Sequence, residues 1–212
     1  MNNIHPNEMI LQRYALGELD DIMLMLLSAH LSFCGQCQEK LQHIESFQAQ
    51  KHLTQMASLL NQVAPFSDLD SMIDSITSLP ITGIIKQSKP SYMKWECHQL
   101  PVPHVLSPLV KNCQKWHMER RRLWRSPVTF HDPNYQISFK FMEDGCNLPS
   151  YLYQGELNLI LNGALLTKRQ TFKQGDMICL QDKAKLSSAK EQGCLFVSIS
   201  NSHLNQLFES NS

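Results

Sequence analysis

The sequence predicts an α+β, multidomain chain: an all-α unit first, then an all-β unit built as an antiparallel sandwich or barrel. Three observations predict it. Apolar residues recur at three- and four-residue steps up to about residue 76 and then alternate in short segments. The stretch from Pro80 to Pro90, with Gly83, Gln87, Ser88 and Lys89, has the composition of a linker. Charge also changes sign there: residues 1–80 hold three Lys or Arg against nine Asp or Glu, and residues 81–212 hold sixteen against ten, so the halves carry about minus six and plus six. A chain of 212 residues with 42% hydrophobic and 18% charged content can bury two modest cores and is not broadly disordered. The expected domains are 1–80 and 96–212, joined by a linker over 81–95.

Taken in order, Met9, Leu11 to Leu16 and Leu19 give a short amphipathic helix. Asp20 or Asp21 can cap a second helix, running from Ile22 through His30 toward Cys37. A third is expected from Lys40 to about Val63, with Leu41, Ile44, Phe47, Leu53, Met56, Leu59, Leu60 and Val63 on a stripe and neither Gly nor Pro before Pro65. A fourth spans Leu69 to Ile76. Beyond the linker, Tyr135 to Phe141, Glu156 to Leu161 and Met177 to Leu180 read as strands. Turn signals at Asp144-Gly145, Asn162-Gly163 and Gln174-Gly175-Asp176 separate them.

These features also exclude functions. An acidic first half suits a basic protein partner better than nucleic acid, whose phosphates need clustered cations. The basic cluster Arg120, Arg121, Arg122 and Arg125 has no reading helix beside it, because Pro127 and strand-like sequence follow. The longest apolar block, Ile22 to Leu27, is too short to cross a bilayer, and no secretory leader is recognisable, so a soluble, cytoplasmic protein is expected. Of seven cysteines only Cys34 and Cys37 lie close together, which argues against a disulfide framework. No nucleophile, acid or base constellation stands out, and no catalytic residue is assigned.

His30, Cys34 and Cys37 have the spacing H-x3-C-x2-C at the end of an apolar helical run. On one continuous helix, steps of four and seven residues would bring all three onto nearly one stripe, a partial metal site. Zinc takes four tetrahedral ligands from thiolate and imidazole. His5 is the natural fourth, since a helical hairpin turning near Gly17 returns residue 5 to the stretch from His30 to Cys37. The same cysteine pair has two other readings, a redox dithiol and small buried apolar groups.

The segment His5-Pro6-Asn7-Glu8-Met9-Ile10-Leu11-Gln12-Arg13-Tyr14-Ala15-Leu16-Gly17-Glu18-Leu19, followed by His30-Leu31-Ser32-Phe33-Cys34-Gly35-Gln36-Cys37, resembles the zinc-binding domain of the ChrR family of anti-sigma factors. The resemblance covers about forty residues closely and includes the leading His-Pro, the Tyr-Ala-x-Gly-x-Leu block and the order and separation of the four ligands. It implies one structural zinc held by His5, His30, Cys34 and Cys37. It also implies an extracytoplasmic-function RNA polymerase sigma factor as protein partner, and a role in a stress response, oxidative or to singlet oxygen.

Proteins of that family pair the helical domain with a cupin, a jelly-roll barrel. Gly145-Cys146-Asn147-Leu148-Pro149 through Gly155-Glu156 to Leu161-Asn162-Gly163 resembles the first cupin motif, and Gly175-Asp176 the start of the second. The family's metal-binding His-x-His is missing: Ser150, Tyr151, Leu152 and Tyr153 stand there, and Leu186, Ser187 and Ser188 stand where a further histidine is expected. A lone carboxylate, Glu156, does not hold a transition metal tightly, so no metal is expected in the barrel. Tyr151 and Tyr153 alternate and are expected, with Glu156, to line or fill the interior. His98, His104, His117 and His131 lack ligand spacing and are expected at the surface or satisfied within the fold. Two alternatives remain: a switch in which oxidation of Cys34 and Cys37 ejects zinc and releases sigma, and a cupin-type metal enzyme, which the missing histidines disfavour.

Overall fold

The computed structural model describes residues 5–60, 73–75, 77–78, 91–96, 98–149, 155–168, 170–179, 185–188 and 193–201. Helix α1 spans Glu8–Ala15 and begins where the Asn7 side chain accepts the Ile10 N–H at 2.8 Å. Gly17, at φ 69°, turns the chain, a left-handed conformation that suits a residue without Cβ. Asp20 then caps α2, Asp21–Leu31, by accepting the Met23 N–H at 2.9 Å.

The expectation that one helix carries His30, Cys34 and Cys37 is corrected here. Helix α2 ends at Leu31, and α3, Gly35–Leu60, begins after a break. The N–H groups of Phe33 and Cys34 both reach back to the His30 carbonyl, at 2.9 and 3.0 Å, and Ser32 Oγ donates to the Ala29 carbonyl. These bonds close the end of α2 and leave the chain free to change direction. The third helix therefore starts five residues earlier than Lys40. Of the expected fourth helix, residues 73–75 and 77 are helical; Leu69, like Val63 of the third, lies outside the described residues.

Strands β1 (Ser91–Trp95) and β2 (His98–Val102) form an antiparallel hairpin. Composition assigned Ser91–Trp95 to the linker, but Met93 and Trp95 alternate into the core. A 3-10 turn at His104–Leu106 leads into the short α4, Ser107–Lys111. The main sheet comprises β3 (His117–Arg120), β4 (Leu123–Val128), β5 (Gln136–Met142), β6 (Asn147–Pro149), β7 (Glu156–Leu166), β8 (Thr171–Lys173), β9 (Met177–Cys179), β10 (Lys185–Ser188) and β11 (Cys194–Ser200). Its order is β3-β4-β5-β11-β7-β10-β6, with β8 and β9 also paired to β7, and the pairings are antiparallel. The register between β7 and β11 shifts at Leu195/Phe196, beside Gly163. A Cβ on Gly163 would stand 2.2 Å from the Gly193 carbonyl oxygen, so only glycine allows the two strands to meet this closely.

Alternation on β5, β7 and β11 divides the apolar residues into two cores. Phe139, Leu159 and Val197 face one way and belong to a cluster with Ile10, Leu11, Ile22, Leu26 and Leu27 of the helices. Met142, Ile160 and Phe196 face the other way and cluster with Leu165, Phe172 and Leu186 inside the sandwich. Helix α2 is apolar on most of its surface because it lies against this sheet and against the turn at Leu106. Burying each such leucine contributes about 1.5–3 kcal/mol. Tyr135 adds a polar tie, its hydroxyl donating to the Asp20 carboxylate at 2.7 Å, and burial beside that carboxylate pushes the phenol up to about 12. Among the described residues no helix is long and apolar enough to cross a membrane.

Candidate metal centre

Three separate pieces of backbone bring the four predicted ligands together. His5 precedes α1, His30 sits in the last turn of α2, Cys34 precedes α3, and Cys37 lies in the first turn of α3. One donor atom from each lies within 4.8 Å of all the others. His5 Nδ1 is 3.4 Å from Cys34 Sγ and 3.6 Å from Cys37 Sγ. Ligand bonds of ordinary length for zinc, at the tetrahedral angle, place nitrogen and sulfur donors ~3.6 Å apart, so these spacings fit the ion. The break between α2 and α3 is what allows the convergence, since it frees the cysteines from the orientation of α2.

His30 supplies the decisive test of fit. It is fully buried, its Nδ1 lies 2.6 Å from the Gly175 carbonyl oxygen, and its Nε2 is buried without a hydrogen-bond partner. A carbonyl only accepts, so Nδ1 carries the proton and donates, which leaves a lone pair on Nε2. A buried lone pair without a donor is costly unless a cation meets it. Neutral imidazole, two thiol sulfurs and a second imidazole are a donor set suited to zinc.

Burial holds the His30 imidazole below its ordinary value of 6.5, and nearby His5 acts in the same direction, against the raising effects of the Gly175 hydrogen bond and Asp176. The unfolded chain therefore takes up this proton first as pH falls. The associated stability is present above about pH 6.5 and is lost progressively below it. For the metal-free protein, thermal unfolding should give a lower midpoint at about pH 5.5 than at about pH 7.5; equal midpoints would contradict the sign of this shift. Burial, with the hydrogen bond to Cys34 and then its charge, pushes the Cys37 thiol up to about 12, with Lys40 pulling weakly the other way. Without metal, this sulfur keeps its proton and is a poor nucleophile; metal binding displaces the proton.

Of the second group of predicted residues, Glu156 is in the β-sheet. Glu156, at the start of β7, is 2.7 Å from Lys140 Nζ, and these side chains are 22% and 3% exposed. The carboxylate that the cupin resemblance places among metal ligands is thus engaged by an ammonium group. Lys140 stands directly across from Arg125 on β4, and Arg125 lies 3.9 Å from Glu119. Asn158 and Ser198, bonded to each other at 2.6 Å, are buried nearby in the strands on the same face. Tyr151 and Tyr153 lie outside the described residues. His98, His104, His117 and His131 are exposed. Arg120 and Arg125 are on strands, and Arg121 and Arg122 are in the tight turn joining β3 to β4, so no helix presents this cluster.

Two features of the site escaped the sequence reading, the Gly175 carbonyl and Lys140. Lys140 left a signal: a charged residue in the otherwise apolar run from Phe139 to Met142 needs a partner if both strand faces are buried. Gly175 left only its turn signature.

No protein-family model matches the sequence, and no curated protein matches it. Solved structures do. A chain of the crystal structure of Rhodobacter sphaeroides SigE in complex with the anti-sigma ChrR matches with TM-score 0.57 and 17% identity, over 93% of this chain and 98% of that one. Shorter and looser matches include the Schizosaccharomyces pombe Cnp3 cupin domain (TM-score 0.29, 18% identity, 42% of this chain and 68% of that one). A cupin-2 domain protein from Shewanella frigidimarina is similar at TM-score 0.27 and 19% identity, over 36% of this chain and 79% of that one. Over nearly its whole length, therefore, the chain shares with the first of these a fold in which N-terminal helices precede an antiparallel β-sandwich.

Proposed function

We propose that this protein is a zinc-dependent anti-sigma factor. Its N-terminal domain, residues 1–80, holds one structural zinc through His5, His30, Cys34 and Cys37 and binds an extracytoplasmic-function sigma factor, keeping it from polymerase and promoter. The observation that carries this reading is the convergence of those four donors, with the His30 Nε2 lone pair turned toward no other partner. The full-length likeness of fold to a chain from a sigma and anti-sigma complex supports the partner. The protein acts in the cytoplasm, where sigma factors work, and the response it governs is an oxidative or singlet-oxygen stress. The zinc's contribution is structural, linking three backbone segments of a small core. In this reading the barrel is not a metal enzyme: Lys140 engages Glu156, the carboxylate that the cupin resemblance would place among metal ligands.

The surface of α3 fits a protein partner. Phe47, Leu53 and Met56 are 70%, 67% and 57% exposed, as few apolar side chains on a solvated helix are. A groove of about 640 Å³ runs beside it, lined by Gln12 of α1, by Leu16 just after that helix, and by Ile44, Phe47 and Lys51 of α3. An apolar helix face and groove take up partner helices by burial, while the acidic domain attracts the basic surfaces sigma uses for DNA. Exchanging Phe47 and Leu53 together for aspartate should weaken sigma binding by at least about 30-fold, as for loss of a contact worth about 2 kcal/mol. Zinc content should not change. Calorimetric titration with sigma checks this, and undiminished affinity would remove α3 from the interface.

The decisive experiment is zinc analysis by mass spectrometry combined with co-purification of an extracytoplasmic-function sigma factor. One zinc per chain and a stable sigma complex are expected. A zinc-free protein, or zinc-loaded protein that binds no such sigma, would overturn the reading. The alternative mechanism is a switch in which oxidation of Cys34 and Cys37 to a disulfide ejects zinc and releases sigma.

A further inference from the structure

His30 belongs to the helical unit, but the group that fixes its ring belongs to the barrel. The Gly175 carbonyl that meets Nδ1 lies 145 residues away in sequence, in the turn between β8 and β9. That turn is rigidly built. Gly175 N–H donates to the Ile160 carbonyl at 2.8 Å, Ile160 N–H to the Asp176 carbonyl at 3.1 Å, and Asp176 N–H to the Lys173 carbonyl at 3.0 Å. The Asp176 carboxylate caps the Lys173 N–H at 2.7 Å, and the Gln174 amide donates to the Leu161 carbonyl at 2.8 Å. The turn is thus fastened to β7, the strand that pairs with β8, β9, β10 and β11.

The approach of the two units is also close. Gly175 is buried, with φ 91°, and a Cβ built on it would stand 2.6 Å from Cβ of Phe33, the residue just before Cys34. Glycine is required on both counts, conformation and space. The contact therefore abuts His30 on one side and the chain leading to Cys34 on the other.

We propose that the Gly175 carbonyl is a positioning group for the metal centre: by accepting the His30 Nδ1–H it selects the tautomer and aims Nε2 at the ion. The barrel thereby sets metal affinity in the helical unit, and any displacement of the turn at 174–176 loosens a ligand. This rests on the metal reading above and extends it, since it makes the metal centre a property of both units. Outer-shell partners of ligand histidines act this way because a ring free to rotate binds metal less often in the right orientation.

The test uses the full chain and two variants. Gly175→Ala pushes the turn away from Phe33. Asp176→Ala removes the cap on Lys173 and loosens the same turn without placing a Cβ against Phe33, and it decides the matter if Gly175→Ala does not fold. Zinc affinity is measured by competition with a chromophoric chelator, and the coordination sphere by the visible spectrum of the Co²⁺-loaded protein. Both variants should bind zinc about 10- to 100-fold more weakly, with a changed Co²⁺ absorption envelope. If folded variants lose thermal stability yet keep wild-type affinity and spectrum, the turn is only structural and the proposal falls. If the wild-type chain binds neither ion, the metal reading itself fails, a result distinct from wild-type loading that the variants leave unaltered.

Discussion

His30→Ala is expected to strip zinc from the protein and to unfold most of the helical unit. Structural zinc sites of this kind contribute an apparent ~10–16 kcal/mol, comparable to the ~5–15 kcal/mol of total stability of an ordinary domain. Among the described residues of α3, Cys37 is the one side chain that is fully buried, and Leu41 and Ile44 are only half-buried. A metal held by the four residues would therefore add a strong tie between the start of α3 and the rest. The alanine variant also leaves the Gly175 carbonyl without its donor and opens a gap in the packed end of α2. Zinc affinity should fall by more than the ~10–100-fold that loss of an outer-shell partner costs, and sigma binding should fall with it. Metal analysis together with amide hydrogen exchange over residues 8–60 checks the prediction. A His30→Ala protein with one zinc per chain and protected amides in α3 would show that His30 is packing rather than a ligand.

The second large effect concerns the ion pair inside the barrel. Glu156→Gln should destabilise the protein by about 3 kcal/mol, the low end for breaking a buried pair, because Glu156 keeps some contact with water. For a chain of this size that corresponds to a fall of roughly 6–12 °C in the melting midpoint. The neutral amide takes away the charge 2.7 Å from the Lys140 ammonium while Arg125 still stands directly across the strand pair, and like charges so placed repel. The double variant Lys140→Met, Glu156→Leu should recover most of the loss, since a buried ion pair exchanged for apolar groups of similar volume is often neutral or better. Thermal unfolding of the wild-type chain and these two variants checks both expectations. An unaltered midpoint for Glu156→Gln would mean that water already screens the pair, and the barrel end would then have to be more open than its burial indicates.

How far local spacing reaches is clear from particular residues. The H-x3-C-x2-C run and the His-Pro before α1 were enough to name the four residues that the fold brings together, because each carries its chemistry in its own side chain and the helical hairpin at Gly17 is a short-range feature. The change from helical period to strand alternation near residue 90 placed helices before sheet, since periodicity records which face each segment buries. The same local reasoning misjudged the break at Ser32–Cys34. Apolar periodicity continues across it, and only the hydrogen bonds of Phe33 and Cys34 to the His30 carbonyl show that the helix stops. Three further features depend on contacts between distant segments: the one core shared by helices and sheet, the Lys140–Glu156 pair across β11, and the Gly175 carbonyl on His30. A backbone carbonyl has no residue-type signature, and a lysine's partner is fixed by strand register. Both were therefore decided by tertiary packing, which holds two groups 145 residues apart at hydrogen-bond distance.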